Sequence, residues 1–328
     1  MPNQRGRQGQ GRATLQKEAT LGRVLGCHIV RELRADPAIL WHVDLNAGAG
    51  RNIDARVAGS PEVFLRQLIK RKVPRVMAMF YERKRAAAAA LATYLAERLD
   101  RIGRQSLPSL EATIALHDAR GAELLERHVR GAARLRTQGE LFAAPPAPSH
   151  FTWCFEIHAA DNRQALPHLL EVVRAVDDPR RAAVSIISDP NGWSVAEGSL
   201  DLAVARETLA ALPRALLLVT FFYGRAKAAH GLNRNGTQSP FTRRGPIPTR
   251  HARDYVPLRP FWLISEQDHQ HVYLAGSHWP LPEFTERRGL RLWSTKSPIG
   301  RGILEDCDQF RGGTEHAEQP RRSRRTPV

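Results

Sequence analysis

Ile39-Leu40-Trp41-His42-Val43-Asp44-Leu45, running straight into Asn46-Ala47-Gly48-Ala49-Gly50, is the stretch on which the fold turns. An apolar run of this length that ends on a carboxylate and a glycine-bearing turn reads as a strand buried on both faces, the opening unit of an α/β sheet. Beyond it, Pro61 to Ile69 places apolar residues at i, i+1, i+4 and i+5, which gives one buried helical face. Strand, glycine turn, short excursion and helix then repeat along the chain.

Arg75 to Tyr81 is the second strand, ending at Glu82 and followed by an alanine-rich helix expected over 85–99. Ala112 to Leu116 is the third, ending at His117-Asp118-Ala119, with a helix expected over 120–136. Residues 137–150, with the run Ala144-Pro145-Pro146-Ala147-Pro148, form a loop by composition. Phe151 to Ile157 reads as an extra strand or an insertion, before a helix over 161–176. The fourth main strand, Ala182 to Ser188, runs into Asp189-Pro190-Asn191-Gly192-Trp193; a helix over 199–211 and a fifth strand, Ala215 to Tyr223, follow. Pro260 to Ser265 and His271 to Gly276 pattern as a hairpin that closes the sheet in the reversed sense. The expectation is a Rossmann-like α/β fold: a mostly parallel sheet with helices on both faces and an antiparallel closing hairpin.

The 328 residues carry 42% hydrophobic side chains, enough for a substantial core, and a formal charge of +16. All but six of the 49 basic residues are arginine. The excess is localised. Residues 1–12 hold Arg5, Arg7 and Arg12 with no acid, 320–328 hold four arginines with none, and 225–259 hold eight basic residues against Asp254. A chain so charged favours a polyanionic partner, nucleic acid first, and each end is expected to be a flexible basic tail. Cys27, Cys154 and Cys307 are far apart and show no metal-ligand spacing, so they are expected to be reduced thiols with no metal site. The N-terminus has no apolar stretch, and no 18-residue apolar run occurs; the expectation is a cytoplasmic protein without a membrane partner.

In open α/β sheets ligands bind outside the carboxyl ends of the strands, and four of the expected strand ends here are acidic: Asp44, Glu82, Asp118 and Asp189. The turn through Asn46, Gly48 and Gly50 lets backbone approach a ligand, or is simply tight; it lacks the full G-x-G-x-x-G fingerprint of dinucleotide sites. Glu82 stands where a carboxylate can accept from a ribose diol, and Asp118 where one can accept from an adenine amino group; alternatively each caps a helix. Asp189 and the carbonyls beside Pro190 can accept from an exocyclic amine, with Trp193 as a ring to stack on a base; in isolation the tetrad is also a good turn. After the fifth strand, Tyr223, Lys227, Arg243, Arg244 and Arg250 offer a ring and phosphate-binding charge on the same edge of the sheet.

Taken together, Val43 to Gly50, Gly59-Ser60-Pro61, Glu82, His117-Asp118-Ala119 and Ser188-Asp189-Pro190-Asn191-Gly192 resemble a class I S-adenosylmethionine-dependent methyltransferase over roughly residues 24–280. The pattern is most similar to the bacterial three-Cys-motif partner proteins and related orphan methyltransferase-like proteins, and more distantly to amino-group DNA methyltransferases. The resemblance implies a methyltransferase-like domain over 13–290, with 225–259 as a basic loop and 291–328 as a C-terminal extension. It implies that Asp44, Asn46, Gly48 and Gly50 form the S-adenosylmethionine loop, that Glu82 holds the ribose and Asp118 the adenine, and that Asp189, Pro190, Asn191 and Trp193 line the reaction site. Two features depart from the family. Asn191-Gly192 stands where amino-methyltransferases carry a second proline and an aromatic, and Ala160-Asp161 supplies a rival strand-end acid to Asp118. The function these readings imply is methylation of an amino group on nucleic acid. The rivals are a non-catalytic cofactor-binding partner subunit of a mobile-element or defence system, with a protein partner encoded nearby, and an NAD-binding oxidoreductase.

Overall fold

All five residues of the first strand are buried, as a strand covered on both faces requires. The computed structural model describes residues 12–50, 58–130, 150–189, 200–222, 258, 261–266, 271–277, 290–298 and 301. In chain order these form α1 (Arg12–Arg34), β1 (Leu40–Asp44), α2 (Ser60–Arg71), β2 (Arg75–Tyr81), α3 (Arg85–Gln105), β3 (Leu110–His117), β4 (Glu123–Arg130), β5 (Phe151–His158), α4 (Ala165–Val176), β6 (Ala183–Ser188), α5 (Leu202–Ala211), β7 (Leu216–Phe222), β8 (Phe261–Glu266), β9 (His271–Gly276) and β10 (Leu290–Ser294). A single 3₁₀ turn, Asn162–Gln164, precedes α4.

The described strands form one sheet in the order β10-β8-β9-β7-β6-β1-β2-β5-β3-β4. The six from β7 to β3 run parallel, while β4 reverses at one end and β9, β8 and β10 alternate at the other. This is the expected Rossmann-like α/β fold with its antiparallel hairpin, β8 and β9. The sheet continues through β10, which lies in the segment expected as a C-terminal extension.

Alternation along each strand sorts the core into two layers. Leu40, Val76, Ala78, Phe80, Phe155 and Leu218 face α1, α2 and α3; Trp41, Val43, Met79, Ile186 and Val219 face α4 and α5. Burying a leucine or phenylalanine in either layer stabilises by about 1.5–3 kcal/mol relative to exposing it. His42 breaks the apolar run of β1 and is fully buried. Its ring stacks on Phe64 at 3.8 Å and 12°, and Nδ1 lies 2.8 Å from Ser185 Oγ on β6. Helix α1 reaches α2 through Gly22 and Gly26; a Cβ on Gly26 would stand 2.6 Å from Gln67 Oε1.

Four expectations change. Residues 123–130, read as part of a helix, form β4, which pairs antiparallel with β3. The deciding feature is local: Gly121 takes φ +80°, and Asp118 Oδ1 accepts from the N–H groups of Arg120 and Ala122, closing a hairpin turn. β5, read as an extra strand, is central and lies between β2 and β3. The helix expected from 161 starts at 165, because Asp161 accepts from Arg163 N–H and makes the 3₁₀ turn first. Finally, α1 was not expected at all, although Leu21, Val24, Leu25 and Ile29 lie on one helical face and are buried. The basic tails at 1–11 and 302–328 lie outside the described residues, as does all of 225–259 except Leu258.

The chain moves from β1 outward to β2 and the strands beyond it, then returns to place β6 on the other side of β1. That reversal opens a crevice beyond the carboxyl ends of β1 and β6, where such sheets bind ligands.

Candidate functional site

At the end of β1 the Asp44 carboxylate is fully buried, and its Oδ1 accepts from the Asn46 N–H at 3.0 Å. This folds the chain back on itself as an Asx turn. The Asn46 side chain then crosses the switch point, its Oδ1 accepting from the Asp189 N–H at 3.1 Å. Main-chain bonds fix the same turn to both neighbours: Leu45 N–H donates to Ile187 O at 2.9 Å and Ala47 N–H to Tyr81 O at 3.0 Å. Asp44, Asn46 and Asp189, three of the residues singled out in the sequence, thus come together across β1 and β6.

The two glycines of the turn serve different ends. Gly48 sits at φ +64° with nothing within 4 Å of where a Cβ would stand. Gly50, at φ +79°, has no such space: a Cβ would lie 2.7 Å from both Leu91 Cδ1 and Tyr94 Cδ1 of α3. Its missing side chain therefore admits α3, and its carbonyl lies 2.9 Å from where a Cβ on Gly59 would be. Gly48 thus turns the chain in open space, while Gly50 is needed for packing.

Glu82 follows β2 at the same edge. Its Oε1 accepts from the Lys84 N–H at 2.8 Å, and its own N–H donates to His158 O at 3.0 Å, so the carboxylate partly serves the approach to α3. Asp118 is not beside it. It occupies the exposed β3–β4 turn, one strand beyond β5, and the N–H groups of Arg120 and Ala122 hold its carboxyl below the usual carboxylate range. The acid that follows the strand next to β2 is Asp161. Burial opposes its charge, but the side-chain and backbone hydrogen bonds from Arg163 outweigh this and lower its pKa. The rival acid in the sequence therefore takes the place expected of Asp118, because β5 is inserted between β2 and β3.

Pro190, Asn191, Trp193, Tyr223, Lys227, Arg243, Arg244 and Arg250 lie outside the described residues. The sequence reading missed a group of rings at the same edge. Tyr81, His158 and His117 each end a parallel strand, and they occupy one row of the sheet, His158 being the register partner of both others. Their rings stack at 4.6 Å and 5.0 Å. An aromatic or histidine closing each of three strands was visible in the sequence as a signal.

No protein-family model matches this chain, and no curated protein does. Solved structures align with it at low likeness, two of them as follows. A Legionella pneumophila protein shares 8% identity over 88% of this chain and 92% of its own, with a TM-score of 0.38. A methyltransferase from Geobacter sulfurreducens shares 10% identity over 83% of this chain and 92% of its own, with a TM-score of 0.31.

Proposed function

We propose that the chain is a methyltransferase-like protein that binds S-adenosylmethionine at the β1–β6 switch point and methylates an amino group on nucleic acid. The observation that carries this reading is the Asn46 bridge to Asp189, which ties the expected cofactor loop to the expected reaction loop across the crevice. The described residues suit such a ligand. Gly48 leaves open space for a close approach, Glu82 offers a carboxylate to a ribose diol, and Asp161 offers a second acid one strand further on. When bound, the cofactor supplies an electrophilic methyl group on a sulfonium. Asp189 accepts an N–H of the target amine and orients its lone pair, and Asn46 holds the Asp189 backbone in register with β1. Pro190 and Trp193 would line the target base, and Tyr223, Lys227, Arg243, Arg244 and Arg250 would hold the ring and phosphates beside it.

The departure at Asn191-Gly192 favours a second reading, a cofactor-binding subunit without transferase activity, of the kind that the resemblance to three-Cys-motif partners implies. Calorimetry with S-adenosylmethionine, S-adenosylhomocysteine and NAD tests the shared part. The expected result is binding of the first two, lost in Asp44→Ala; binding of NAD alone would reject it. Labelled-methyl transfer to DNA, RNA and protein, compared with Asp189→Ala, separates enzyme from subunit. Changing Arg243, Arg244 and Arg250 to Ala should shallow the salt dependence of nucleic-acid binding by about 0.9 log unit per lost phosphate contact.

A further inference from the structure

The row of rings at the carboxyl ends of β2, β5 and β3 is assigned no role in the methyl transfer proposed above. In a parallel sheet, register partners on one face stand about 4.8 Å apart, so flat side chains in one row stack. Tyr81 stacks on His158 at 4.6 Å and 13°, and His158 on His117 at 5.0 Å and 18°. From the α4 layer His168 meets His158 edge-on, at 5.1 Å and 86°, and its Nδ1 lies 2.7 Å from Tyr81 Oη. Burial first, and then Glu156, push the Tyr81 pKa up, so its hydroxyl keeps its proton beside the His168 ring.

Three imidazoles are thus in ring contact, while the acids around them are few. Glu156 of β5 lies 3.4 Å from His158 Nε2. Glu171 acts on His168 from α4 itself, and Glu123 of β4 is the register partner of His117. One proton on the row is matched by Glu156. A second places like charges about 5 Å apart in a half-buried setting, where they repel. Burial and then His158 hold the His168 pKa below the ordinary histidine value, against the smaller pull of Glu156 and Glu171.

We propose that Tyr81, His158, His117 and His168 form a proton-sensitive brace, closed while at most one of its histidines is charged and loosened by a second proton. The part of the crevice it braces is specific. Glu82 follows Tyr81 directly and its N–H donates to His158 O, while Ala159, which leads to Asp161, donates its N–H to His117 O. Loosening the row therefore shifts the main chain that carries Glu82 and Asp161, the two acids proposed to hold the cofactor's nucleoside. This consequence rests on the proposed crevice; the brace itself does not.

Proton and nitrogen NMR of the full chain, titrated from about pH 8 to about pH 5, reads the brace directly. The expected result is coupled titration in more than one step, with His168 charging last, and with Glu82 and Asp161 amides shifting in the later step. Three independent titrations at the ordinary value, or unmoved amides, would overturn it. His168→Gln keeps a polar partner for Tyr81 but cannot charge, so its melting temperature should fall less steeply with acid than that of wild type; parallel curves count against the brace. S-adenosylhomocysteine affinity should weaken several-fold over the same range in wild type and stay level in His168→Gln. Absence of binding at every pH rejects the crevice, while the titration still decides the brace.

Discussion

His42 shows how one buried side chain sets a pH limit. Burial first, and then the nearby His28, lower its pKa to about 3, so the ring is neutral when folded. A base whose folded pKa is depressed contributes its full stability above the unfolded value near 6.5 and loses it as pH falls toward 3. Between pH 7 and pH 5 the advantage of wild type over His42→Gln should shrink by about 2 kcal/mol in denaturant titrations; a constant gap would exclude this cause. The two turn glycines give a second residue-level contrast. Gly48→Ala meets only the backbone cost of a positive φ, about 1 kcal/mol, and should act mainly on ligand affinity. Gly50→Ala adds a clash with Leu91 and Tyr94 and should cost about 3 kcal/mol or more in thermal unfolding. Nothing in the sequence separates these glycines, since the difference lies in α3, some forty residues away. Asp44, Asn46 and Asp189 were legible because a strand end and its turn are local features, whereas Asp118 and Asp161 exchanged places through strand order, which is not.

At the scale of elements, α2 and α3 are joined by one carboxylate. Glu62 is buried and accepts from Arg66 Nε at 2.9 Å, Tyr94 Oη at 2.7 Å and Arg98 Nε at 3.0 Å. Burial raises its pKa, but the hydrogen bonds from Arg98, Tyr94 and Arg66 together outweigh it and leave the pKa lowered. Stability from this group is therefore present above the unfolded value near 4.5 and is lost as acid protonates it. Glu62→Gln should cost about 2 kcal/mol at neutral pH, less than a fully buried pair because Arg66 is half in solvent, and the cost should start to fall as pH drops through 4.5 and vanish only below the lowered folded pKa. A cost that persists in acid would assign the effect to shape rather than charge. The central strands were readable for the reason their burial gives: apolar runs covered on both faces. β4 was not, since Glu123-Leu124-Leu125-Glu126-Arg127 has helix-favouring composition and lies largely exposed. Pairing with β3 and the turn at Gly121 overrode that preference, which is how tertiary context usually defeats propensity in edge strands.

Across the whole molecule, α1 decides whether the sheet behaves as one unit. It lies against α2, yet its Glu32 reaches Arg214 in the turn before β7, which is separated from β2 by β6 and β1. Glu32 is fully buried, Arg214 Nε donates to its Oε2 at 2.9 Å and Nη2 donates to the same oxygen, with His28 one turn earlier on the helix. The pair thus ties the first helix of the chain to the far half of the parallel sheet. Arg214→Ala would leave a carboxylate in the interior with its main partner gone and should cost about 3–5 kcal/mol. If that cost is the stranded charge, then Glu32→Leu combined with Arg214→Met should recover most of it, because apolar packing replaces buried ion pairs at little loss. Denaturant unfolding of the two variants beside wild type decides this, and a double variant as unstable as the single would show that the cost lies in α1 docking itself. Unfolding that stays a single transition in the double variant would show that packing of Leu21, Val24, Leu25 and Ile29 is enough to hold α1 to the sheet.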